Sequence, residues 1–134
     1  MKRKILVITE SKAIRFLLET VLQEEFTTIT AAEAADAMYW ISQSELPSAI
    51  VMDPNLPDTA PWELVEHLKT SGLYAHIPLI VIAEQPELEL AALSARYGVD
   101  AYFSKPFNPI DLKKQLETLI NMPAGQSKTL LKAV

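Results

Sequence analysis

Four short apolar runs in this chain end on residues that could share one piece of chemistry. "KILVI" leads into Thr9 and Glu10, "SAIVM" into Asp53, "PLIVI" into Ala83, and "AYFS" into Lys105 and Pro106. Two carboxylates and an ammonium in one small pocket would offer oxygen ligands to a hard divalent cation and a positive charge to phosphoryl oxygens. Taken singly, each residue has a plainer explanation. Asp53 reads as a turn residue after a strand, Lys105 as a solvated lysine, Pro106 as a loop proline, and Glu10 as a negative charge near a helix N-terminus. The shared chemistry exists only if the fold gathers the ends of the runs.

The pattern of elements predicts that it does. Five runs rich in β-branched and aliphatic residues, the four above and "FTTIT", alternate with longer stretches of helical periodicity, which argues for a parallel sheet with helices on both faces. "KILVI", "SAIVM" and "PLIVI" are almost continuously apolar, as central strands covered on both faces must be, whereas "FTTIT" alternates and fits an edge. Ile14, Leu17, Leu18, Val21 and Leu22 form one stripe on the first helix, and Ala34, Ala37, Met38 and Ile41 one on the second. Pro61 is expected in the first turn of the third helix, with Leu64, Val65 and Leu68 inward and Gly72 as its stop. The fourth helix is expected from near Pro86 to Gly98. Asn108, Pro109 and Asp111 read as N-cap, first-turn proline and acidic third position of a fifth. Trp40 and Trp62 fall at the margins of their stripes, where aromatics commonly form the core edge. In such an open sheet, ligands bind outside the carboxyl ends of the strands, where the strand order reverses, and those ends carry Glu10, Asp53, Ala83 and Lys105.

Composition narrows the function classes. A chain of 134 residues supports one core, so we expect one domain over residues 1–121 and a linker or tail over 122–134, where small and polar residues surround Pro123 and Gly125. With no cysteine and two separated histidines, His67 and His76, there is no thiolate or imidazole metal cluster. A net charge of −5 gives no pull toward nucleic acid, and no apolar run reaches membrane-spanning length, so we expect a cytoplasmic protein that touches neither. A flavodoxin-like or dinucleotide-binding protein is the competing enzyme-class reading of the same sheet. It is disfavoured because the first loop, "TESKAIR", has no glycine and puts Glu10 where a phosphate would sit.

The blocks "KILVITES", "AIVMDPNLP", "PLIVIAE" and "GVDAYFSKPF" resemble, in order and spacing, the signature blocks of response-regulator receiver domains in two-component signalling, over roughly residues 3 to 121. The resemblance implies a flavodoxin-like five-stranded parallel sheet of order 2-1-3-4-5, with helices one and five on one face and two, three and four on the other. It implies a phosphorelay role: Asp53 is the phosphoacceptor, Lys105 contacts the phosphoryl oxygens, and the Lys105–Pro106 bond is cis. Glu10, Asp53 and the Asn55 backbone carbonyl would hold Mg²⁺, and Ala83 and Tyr102 occupy the switch positions. A histidine kinase or phosphotransfer protein would be the donor, and an output partner would meet helix four, strand five and helix five. No enzymatic activity is implied beyond self-phosphorylation and self-dephosphorylation at Asp53.

The departures from the pattern matter equally. Thr9 stands where the family has the first of two acidic residues, so Mg²⁺ should bind weakly. Ala83 stands where it has a serine or threonine, so no hydroxyl can follow the phosphoryl group. Ala60 and Pro61 replace the usual acidic or amide residue followed by glycine, stiffening that loop. These losses leave open a second reading, a pseudo-receiver that binds a partner protein without phosphate.

Overall fold

The computed structural model describes residues 2–43 and 45–122. Ten elements alternate without exception: β1 (Arg3–Ile8), α1 (Lys12–Leu22), β2 (Phe26–Ala31), α2 (Ala34–Ile41), β3 (Ala49–Met52), α3 (Glu63–Thr70), β4 (Leu79–Ala83), α4 (Glu87–Tyr97), β5 (Ala101–Ser104) and α5 (Pro109–Ile120). The strands pair in parallel in the order β2-β1-β3-β4-β5. Each strand starts or ends within one residue of its expected run. The period-two alternation of side chains splits the core into two layers. Ile5, Val7, Val51, Ile80, Ile82 and Phe103 pack on Leu18 and Leu22 of α1 and Leu112, Leu116 and Leu119 of α5. Leu6, Ile8, Ile50, Met52, Val81 and Tyr102 pack on α2, α3 and α4 through Ala37, Ile41, Leu64, Val65, Leu68 and Leu90. Each fully buried aliphatic side chain contributes about 1.5–3 kcal/mol of transfer free energy, and this two-sided burial holds the strand ends in a fixed frame.

Caps set where the elements turn. Ser11 accepts the Ile14 N–H at 3.1 Å to start α1, and Asn108 accepts Ile110 and Asp111 N–H groups at 2.8 and 3.3 Å to start α5. Gly98 ends α4 at φ 75°, a conformation that glycine adopts without Cβ strain. At the amino ends of the strands, Asp100 lies buried between Lys69 Nζ (3.1 Å) and the N–H of Leu79 (2.8 Å), tying the end of α3 to the start of β4.

Four details differ from expectation. Leu17 points outward and is 37% exposed, because the buried stripe of α1 narrows to Leu18 and Leu22 with Ile14 and Val21 at its borders. Pro61 precedes α3 instead of opening it, and the helix ends at Thr70, before Gly72. The residue before α3, Trp62, takes the left-handed conformation at φ 66°. A proline cannot supply positive φ, so the turn passes it to the next residue. Trp62 is also buried rather than at the core edge, its ring stacked on Tyr97 at 5.2 Å and its backbone N–H donating to Pro54 O at 2.8 Å. Trp40 does lie at the margin, 43% exposed. The expected tail falls almost wholly outside the described residues.

Candidate functional site

At the carboxyl end of the sheet, β3 and β5 deliver a carboxylate and an ammonium to each other. Asp53, held in register by its N–H donating to Ile8 O at 2.8 Å, points Oδ2 at Lys105 Nζ, 2.6 Å away. Its other oxygen, Oδ1, accepts the Asn55 N–H at 2.9 Å. The side chains of Asp53 and Lys105 are 14% and 17% exposed, so the pair is shielded from bulk water yet reachable. The Lys105–Pro106 peptide bond is cis. Glu10, Ser11, Asp53, Asn55, Glu84 and Lys105 line a single open cleft of about 410 Å³.

The cleft therefore brings together Asp53, Lys105, Glu10 and Asn55. The oxygen donors of Asp53, Glu10 and Asn55 have the chemistry that Mg²⁺ prefers, with room for the waters it keeps. Among the described residues no three acidic or histidine side chains group closely enough to hold a metal ion. Thr9 is fully buried, and its hydroxyl accepts the Ser11 N–H at 3.2 Å. Glu10 is exposed and is not the cap of α1, a role taken by Ser11. Arg15 fastens the loop by donating to the carbonyls of Thr9 (2.7 Å) and Glu10 (3.1 Å). Ala83 and Tyr102 do not line the cleft; both lie in the core layer under α2, α3 and α4, at 0% and 6% exposure. His67 and His76 are exposed.

Two contributors were not singled out from the sequence. Glu84, directly after β4, forms one wall of the cleft. Asp58, in the loop after Asp53, caps a distant helix: its two oxygens accept the N–H groups of Ala34 (2.8 Å) and Ala35 (2.9 Å), where α2 has no side-chain cap of its own. Those backbone donors hold its carboxyl below the usual aspartate range. The loop carrying Asn55 is thereby fixed at both ends, by Asp58 on α2 and by Trp62 on Tyr97.

The family model of the response regulator receiver domain matches residues 5–117. The chain belongs to that family. It is 27% identical to the transcriptional regulatory protein KdpE of Staphylococcus aureus over 96% of this chain and 54% of KdpE. A chemotaxis protein CheY homologue of Campylobacter jejuni is 24% identical over 92% of this chain and 96% of its own length. Among solved structures, the Mn²⁺-bound form of response regulator Rcp1 shares the fold with a TM-score of 0.74 and 23% identity, covering 93% of this chain and 99% of that one. The chain thus spans about half the length of KdpE. Receiver domains are in general non-enzymatic signalling modules that bind Mg²⁺ and interact with histidine kinases and phosphotransfer proteins, and this receiver carries the two-component fold. No helix among the described residues is long and apolar enough to cross a membrane.

Proposed function

We propose that this receiver accepts a phosphoryl group on Asp53 from a histidine kinase or phosphotransfer protein, with weakened coupling to its partner-binding face. The observation that carries the proposal is the 2.6 Å contact of Asp53 Oδ2 with Lys105 Nζ at the floor of an open cleft. An aspartate oxygen would attack the phosphorus of a phosphohistidine in line. The P–N bond breaks as the O–P bond forms, and the departing imidazole nitrogen keeps the electron pair and is protonated. Two anions must meet in this step, so charge neutralisation is the main demand on the protein. Lys105 supplies one fixed positive charge to the phosphoryl oxygens, and the Asn55 N–H holds the carboxylate in its rotamer. Asp53, Glu10 and the Asn55 carbonyl would hold Mg²⁺, which when bound would supply further positive charge to the same oxygens. Thr9 adds no charge, so that ion would be bound weakly.

A second reading, a pseudo-receiver acting by protein contact alone, is favoured by one feature. Tyr102 is already packed inside, and Ala83 has no hydroxyl with which a phosphoryl group could pull on it. On either reading the α4-β5-α5 face meets the partner, offering Leu88 at 88% and Ile110 at 51% exposure. Incubation with acetyl phosphate and Mg²⁺, followed by intact-mass measurement, separates the two. Wild type should gain one phosphoryl mass and Asp53→Asn none. An unmodified wild type would leave the protein-contact reading alone standing.

A further inference from the structure

We propose that Glu84 is a positioning residue for a divalent cation in the Asp53 cleft, restoring from the β4 side the negative charge that Thr9 does not supply from the β1 side. The inference rests on reading this cleft as a phosphoryl-accepting site. Glu84 and Glu10 sit on the cleft wall with Asp53 and Lys105. Lys105 neutralises Asp53 directly at 2.6 Å, so the field felt by an approaching cation comes mainly from Glu10 and Glu84.

The placement of Glu84 is built rather than incidental. Its backbone is clamped on both sides by the end of β5: Lys105 N–H donates to Ala83 O at 2.8 Å, and the Ser104 hydroxyl donates to Gln85 O at 2.8 Å. The residue between two fixed carbonyls has little freedom except in its side chain, and it is exposed. The same strand that delivers Lys105 to the cleft thus delivers the anchor for a carboxylate beside it. Glu10, Asp53 and Glu84 do not form a three-carboxylate metal cluster, and on this proposal Glu84 acts on the hydrated ion through water rather than as a ligand. Mg²⁺, which sheds its waters reluctantly, is suited to that mode of attraction.

The expected magnitude is modest. A carboxylate one water layer from a divalent ion, at a separation on the order of 8 Å in a watery cleft, changes affinity about fivefold, or about 1 kcal/mol. The test is calorimetric titration of the whole chain with MgCl₂, without phosphodonor, at about 0.01 M and about 1 M salt, where the screening length falls from ~30 to ~3 Å. Glu84→Gln should bind about fivefold more weakly at the lower salt and nearly equally at the higher. Glu84→Asp should stay within about twofold of wild type, Glu89→Gln on exposed α4 surface should match it, and Thr9→Asp should recover the affinity lost in Glu84→Gln. Equal or tighter binding by Glu84→Gln at low salt overturns the inference, as does a loss that salt does not reduce or a wild type that takes up no Mg²⁺. The acceptor reading is judged separately by mass: a wild type that binds Mg²⁺ but is never phosphorylated at Asp53 sinks that reading and leaves the role of Glu84 standing.

Discussion

Restoring a hydroxyl at position 83 is the sharpest perturbation of signal transmission in this receiver. In the receiver pattern a hydroxyl after the fourth strand turns toward the phosphoryl oxygen, and the space it leaves lets the aromatic turn inward. Here Ala83 is fully buried and Tyr102 is 6% exposed in the same core layer. A ligand shifts a conformational equilibrium only by its differential interaction with the two states. The missing bond to a charged group is worth roughly 1.5–3 kcal/mol, or about one to two decades in the population ratio. Ala83→Ser adds an oxygen alone, whereas Ala83→Thr adds a methyl as well, at a site with no free surface, where overpacking costs about 1–3 kcal/mol. The serine variant is therefore the cleaner probe and the threonine variant its check. Each protein is saturated with beryllofluoride and Mg²⁺, and amide shifts are followed along α4 and around Tyr102. Wild type should change little there, and the variants should change clearly. Shifts in saturated wild type as large as those in Ala83→Ser would show that another route carries the signal, and the hydroxyl argument would then be wrong.

Two further outcomes follow from the same frame. Thr9→Asp should tighten Mg²⁺ at least about tenfold by calorimetry, since it brings a full charge near the ion in a partly shielded site, and an unchanged affinity would refute the charge argument. Asp58→Ala removes the carboxylate that caps α2, so it should lower the thermal midpoint by a few degrees at neutral pH. Because the folded-state pKa of Asp58 is depressed, its contribution is fully present above the ordinary value of 3.8 and is lost as pH falls through the folded value. The gap between variant and wild type should therefore narrow in acid, and a gap that widens below about pH 3 would contradict the capping role.

The central strands were legible because burial on both faces restricts residue type, as in Ile5 to Ile8, Ala49 to Met52 and Leu79 to Ala83, whereas their order came from the resemblance to receiver domains. Asp53 and Lys105 were legible from their places directly after strand runs, and their pairing from the resemblance of the blocks that carry them. The start of α3 was not. Local preference puts proline in the first turn and disfavours tryptophan at positive φ, but Trp62 gains a stacking partner on α4 that local sequence cannot reveal. Asp58 was hidden similarly, because the helix it caps precedes it in the chain by two elements. Glu84 was visible as a residue, but its place on the cleft wall depends on the clamp from Ser104 and Lys105, a contact between strands rather than a motif.

These differences fall into a pattern that bears on how the receiver works. The features that serve the proposed acceptor are the ion pair, the Asn55 N–H on the carboxylate and an open cleft. On our proposal transmission is weakened, because Ala83 has no hydroxyl, Tyr102 is already buried, and the loop after Asp53 is tied at Asp58 and Trp62. A loop anchored at two points resists displacement when its first residue gains charge, and an aromatic already inside has no inward step left to take. On our proposal the cost of phosphoryl binding would then be met within the cleft, and the α4-β5-α5 face would present nearly the same surface before and after. A partner reading that face would sense the presence of the protein more than its phosphorylation.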